Sequence, residues 1–110
     1  MRRVVKLERH RSAVTMAAAI AAFLAEHQLG SGSQRVYAGA LRALQEYLGG
    51  DTSLAALDER QGAQKFANWF DRRYGQTAHA TRVRQLAIMR SASAFWRQAW
   101  LATDPTAGLE

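Results

Sequence analysis

The chain has 110 residues, enough for one domain with its own hydrophobic core. It contains no cysteine, so disulfide frameworks, thiolate metal sites and thiol nucleophiles are excluded. Fifteen Lys and Arg against nine Asp and Glu leave a net charge of +6, and thirteen of the fifteen are arginine, whose planar fork suits phosphate and guanine. A balance of that kind points to a polyanionic partner; the competing reading is an arginine-rich surface that is merely solvated.

Residues 1–11 hold five basic side chains and one acidic one without helical periodicity, and read as a basic N-terminal arm. The first helix is expected from Ser12 or Thr15, as N-cap, to His27, with Ile20, Phe23, Leu24 and His27 forming one apolar stripe. Its longest apolar run, Met16 to Ala25, is too short to span a bilayer, and no signal peptide precedes it, so a cytoplasmic location is expected.

Gly30-Ser31-Gly32-Ser33 reads as a break and the next cap, before a second helix over about Gln34 to Leu48. Tyr37, Ala40, Leu41, Leu44, Tyr47 and Leu48 gather on one face of that helix. Arg35, Gly39 and Arg42 share the opposite one. Gly49-Gly50 ends the helix, and Leu54 and Leu57 are expected to dock the following loop.

Asp58 with Gln61 resembles a capping box opening a third helix, with Phe66, Ala67, Phe70 and Tyr74 buried, Trp69 at the edge and Gly75 as the stop. A fourth helix is expected from Thr77 or Thr81 to about Ala102, with Ile88, Met89, Ala92, Phe95, Trp96, Ala99 and Trp100 on its apolar face. Pro105 lies beyond its end. No strand-like alternation competes, so an all-α four-helix chain is predicted over residues 12–102, with 103–110 as a linker.

Three stretches carry a family resemblance. Ser33-Gln34-Arg35-Val36-Tyr37, followed by Leu41, Leu44 and Tyr47-Leu48, is one. The others are Thr81-Arg82-Val83-Arg84-Gln85-Leu86-Ala87-Ile88-Met89-Arg90-Ser91 and Asp104-Pro105-Thr106-Ala107-Gly108-Leu109. Their order and separations resemble the core-binding domain of tyrosine recombinases, the phage-integrase type. The chain departs from that pattern in having Ser33 where threonine is commoner, and Ala92 or Ser93 where an aromatic is usual.

The resemblance implies a compact SAM-like bundle of two crossed helical hairpins, whose second and fourth helices lie on double-stranded DNA. It further implies a catalytic domain of the same protein after the Asp104-Pro105 linker, and neighbouring recombinase protomers on the recombination site. It places Arg35 and Arg42 at DNA, together with His79, Thr81, Arg82, Arg84 and Gln85 in the first turns of the fourth helix. Arginine and glutamine at a helix start are residue types that hold phosphates and read base edges.

His79-Ala80-Thr81-Arg82 matches the His-x-x-Arg spacing of the family's catalytic domain, but no tyrosine follows Tyr74 to act as nucleophile, so the match is fortuitous. Tyr37, Tyr47 and Tyr74 fall on core stripes and read as packing residues. His10, His27 and His79 are too scattered for a zinc site. With no paired carboxylates, P-loop or Ser-His-Asp arrangement, the chain by itself is expected to need no metal or cofactor and to catalyse nothing. The rival reading is a SAM-like protein-interaction module, docking through an exposed Trp69, Trp96 or Trp100.

Overall fold

The computed structural model describes residues 14–27 and 30–109. The basic arm read over residues 1–11 lies outside them. Four α-helices make up the described chain: α1 (Met16–Glu26), α2 (Ser31–Leu48), α3 (Arg60–Tyr74) and α4 (His79–Arg97). A 3-10 turn, Leu54–Asp58, precedes α3. The protein is an all-α four-helix bundle, and its described residues include no strand beyond one isolated antiparallel bridge, Thr15 with Ser53.

Thr15 caps α1 as expected, its Oγ1 accepting from the Ala18 N–H at 3.1 Å. The helix is shielded by the returning chain: Met16 N–H donates to Thr52 O and Leu54 N–H to Val14 O. Met16, Ala19, Ile20 and Phe23 of α1 enter the core with Ala40, Leu41 and Leu44 of α2. Leu54 and Leu57 are fully buried and dock the loop after α2, as their spacing predicts. Phe66, Phe70 and Tyr74 of α3 and Ile88, Met89, Ala92 and Trp96 of α4 complete the core. Trp96 Nε1–H reaches across the bundle to Ala19 O at 2.9 Å, fixing α4 against α1 with a buried hydrogen bond.

Several boundaries and packing assignments differ from those read in sequence. α2 begins at Ser31, not Gln34, because Gly30 O accepts from Gln34 N–H and draws the Gly-Ser run into the first turn. Gln34 Nε2 then donates to Leu24 O, tying that turn to the end of α1. Thr77 does not start α4; its hydroxyl donates to Tyr74 O at the end of α3. Tyr47 lies outside the core, 38% exposed, its ring 6.4 Å from that of Trp69. Trp69 is buried rather than marginal, and Ala99 is exposed.

The capping box is overturned. Glu59 holds the N-cap position of α3 without a side-chain bond. The Asp58 carboxylate instead accepts from the N–H groups of Ala102 and Thr103 and from Thr103 Oγ1, at 2.8–3.1 Å. α4 stops at Arg97 instead of running to Ala102 because its last turn tightens: Gln98 N–H donates to Phe95 O, and the N–H groups of Ala99, Trp100 and Leu101 all converge on Trp96 O. The chain has thus left the helix before Asp58 holds Ala102 and Thr103. Beyond it, residues 103–109, expected as linker, are docked on the bundle, with Pro105, Thr106 and Leu109 buried. Asp104 accepts from Thr106 N–H, Thr106 Oγ1 and Ser93 Oγ, and Arg90 donates to Leu109 O at 3.3 Å.

Candidate nucleic-acid interface

The residues singled out for DNA contact sit on α2 and on the first two turns of α4. On α2, Arg35 and Arg42 are both exposed, two helical turns apart, with exposed Gly39 between them. A Cβ added at Gly39 would meet no atom within 4 Å, so no neighbouring helix accounts for the glycine. Arg42 also borders the shallow groove between α1 and α2, beside Ala38 and Gln45.

On α4, His79 and Thr81 are exposed in the first turn. Ala78 holds the N-cap position and offers no capping side chain, so among the described residues no N-cap hydrogen bond covers the leading N–H groups at the positive end of the helix dipole. Arg84 is exposed and faces α2, lining a groove of about 490 Å³ with Gly32, Val36, Tyr37 and Ala87.

Arg82 has a different setting. Its guanidinium donates to Asp71 Oδ1 at 3.0 Å and lies 5.1 Å from the centre of the Phe70 ring, so it braces α4 against α3. Gln85 is likewise turned partly inward, with a buried Oε1 that has no hydrogen-bond partner among the described residues. The seven residues therefore divide. Arg35, Arg42, His79, Thr81 and Arg84 present side chains to solvent, while Arg82 and Gln85 are engaged with the bundle. The division between Arg82 and Arg84 has a simple signal, since residues two apart lie about 200° apart around a helix and cannot share a face.

The charge pattern reinforces this. Residues 72–103 contain six arginines and no aspartate or glutamate, so α4 has no carboxylate of its own. Among the described residues Arg35, Arg42 and Arg84 have no ion-pair partner, whereas Arg82 takes Asp71 from α3. Arg90 and Arg97 are turned toward the C-terminal segment: Arg90 holds Leu109 O, and the charge of Arg97 acts on Asp104. Burial acts to raise the Asp104 pKa, but the hydrogen bonds from Thr106 and Ser93, helped by Arg97, outweigh it and hold the carboxyl below its ordinary value of 3.8.

Two of the three tryptophans of the protein-docking reading are inside the fold. Trp69 and Trp96 are buried, and half-buried Trp100 packs edge-on to Phe95 at 6.2 Å. Among the described residues no group of three His, Asp or Glu side chains is placed to hold a metal ion, and no helix is long and apolar enough to cross a membrane. No protein-family model, curated protein or solved structure matches this chain.

Proposed function

We propose that this chain grips double-stranded DNA as the core-binding domain of a tyrosine recombinase in the cytoplasm, laying α2 and the start of α4 on the duplex. The observation that carries the reading is the set of exposed arginines on those two helices, Arg35, Arg42 and Arg84, none of which forms an ion pair among the described residues. His79, Thr81 and the N-terminus of α4 add phosphate-seeking donors beside them. Strand cleavage belongs to a catalytic domain of the same protein, and other protomers share the recombination site; the sequence resemblance, with its Asp104-Pro105 stretch, supports that part. SAM-like packing rests on the same resemblance.

The test is a gel-shift or anisotropy titration at several salt concentrations. Neutralising about five phosphates gives a slope of log K against log salt near −4.5, at roughly 0.9 per phosphate. Alanine at Arg35, Arg42 or Arg84 weakens binding, whereas alanine at Lys65 or Arg72, exposed on α3, does not. A flat salt response, or a larger loss from the α3 pair, would overturn the reading and point to a protein partner.

A further inference from the structure

Three large hydrophobic side chains are exposed among the described residues: Val36 (43%), Tyr47 (38%) and Val83 (51%). Tyr47 has neighbours that explain it, the Trp69 ring and the Lys65 ammonium, which sits 5.8 Å from its ring centre. The two valines have no such explanation, and both fall on the segments that carry the exposed arginines. Val36 follows Arg35 on α2 and lines the groove that Arg84 and Ala87 border from α4. Val83 precedes Arg84 and lies one turn before Ala87 on the outward side of α4.

Around these valines the surface of α4 is smooth as well as cationic. Ala80, Val83 and Ala87 are all exposed and short, so the helix backbone can come close to whatever covers it. The covering partner must tolerate guanidinium groups that have no ion-pair partner among the described residues and offer apolar contacts between them. A purely apolar protein surface would desolvate Arg35 and Arg84 without compensation. The DNA major groove meets both demands: phosphates line its edges, and thymine presents a methyl group on its floor. It is about 12 Å wide, so one helix can lie in it while a second, packed beside the first at the rim, reaches in with side chains.

We infer that Val36 and Val83 read thymine 5-methyl groups in the major groove, giving this face a preference for T·A pairs while Arg35 and Arg84 hold the flanking phosphates. This inference rests on the DNA reading and adds the chemistry of its sequence preference. Arginine contacts to phosphates position the helices without regard to sequence; the valines are the groups on this face suited to telling thymine from cytosine.

The experiment starts by selecting duplexes from a randomised library with the full chain, then replacing each thymine of the enriched duplex by deoxyuridine, which removes only the methyl group. At one or two positions the replacement lowers affinity about three- to fivefold, the effect of losing one buried methyl-sized group. Val83→Ala and Val36→Ala each abolish the discrimination at one such position. Both variants keep the wild-type melting curve or gain slightly, since the side chains are exposed and alanine is the better helix former. Salt-dependent binding with no difference between thymine and uracil duplexes overturns this inference and leaves the DNA reading standing. Discrimination that persists in both valine variants overturns the assignment to these residues. Absence of salt-dependent DNA binding removes both readings together.

Discussion

The two halves of α4 put the same residue type to opposite uses. In the C-terminal half, Arg90 holds the Leu109 carbonyl, Arg97 bears on Asp104, Ser93 donates to Asp104 and Trp96 bonds to Ala19. Polar groups there are consumed by the fold, binding the last turn and residues 101–109 to the bundle. In the N-terminal half, His79, Thr81, Val83 and Arg84 face solvent, while Arg82 is tied to α3 and Gln85 is turned partly inward. A count of arginines on this helix does not separate structural from available charge. What separates them is angular position and whether a carboxylate from another element lies within reach.

The strongest way to break the comparison is to attack the structural half. Trp96→Ala removes a fully buried ring and its bond to Ala19, and is expected to cost about 3–5 kcal/mol in a urea titration. The loss should appear as a lower midpoint for the whole cooperative transition. A smaller cost, below about 1 kcal/mol, is the range for exposed substitutions and would mean that this half of α4 is not a structural wall.

A smaller effect follows from the carboxylates that fasten the C-terminal segment. Asp58→Ala strips the acceptor from two backbone N–H groups and the Thr103 hydroxyl and is expected to cost about 1–3 kcal/mol. Asp104 makes the same segment acid-sensitive. Its folded-state pKa is depressed, so the unfolded chain takes up the proton first as pH falls. Its stabilisation is complete well above 3.8 and is lost as pH drops below that value through the lower folded-state pKa. Asp104→Asn should flatten that part of the acid limb in thermal melts at stepped pH; an unchanged limb would remove Asp104 from the account.

Much of the bundle was legible in sequence because helical periodicity is a local signal. The stripes through Phe23, Leu41 and Leu44, Phe70, and Met89 with Trp96 correspond to buried faces. The Thr15 cap was also legible, as a hydroxyl three residues before the N–H it accepts. The carboxylate of Asp58 was not, since its partners lie 44 and 45 residues further on and a nearby Gln61 offered a local alternative. Within the candidate interface, Arg35, Arg42 and Arg84 stand exposed where their pattern put them. Arg82 was legible only in part: its place on the helix was evident, but its partner Asp71 comes from another helix.

Arg82 and Arg84 therefore provide the sharpest paired test. Arg82→Ala should lower stability by at most about 1 kcal/mol, because Asp71 is largely exposed and solvent screens the pair. Arg84→Ala should leave the melting curve unchanged. Under the proposed function the order reverses for DNA: Arg84→Ala weakens binding more and reduces the salt slope by about 0.9, the share of one phosphate. Equal losses of affinity from both variants would show that the front of α4 is not divided as its ion pairing indicates.

Gly39 offers the smallest effect and the cleanest separation of fold from function. Glycine inside a helix costs about 1 kcal/mol relative to alanine, and the open space around Gly39 means that an added methyl group meets no protein atom. Gly39→Ala should therefore raise the unfolding midpoint slightly, by the equivalent of 1 kcal/mol or less. If the backbone between Arg35 and Arg42 approaches a phosphate, the same methyl group stands in the way, and DNA affinity falls while stability rises. Opposed movements of the two quantities have no explanation in folding alone. A variant that is more stable and binds equally well would instead make Gly39 a solvent-facing residue of α2 with no part in the contact.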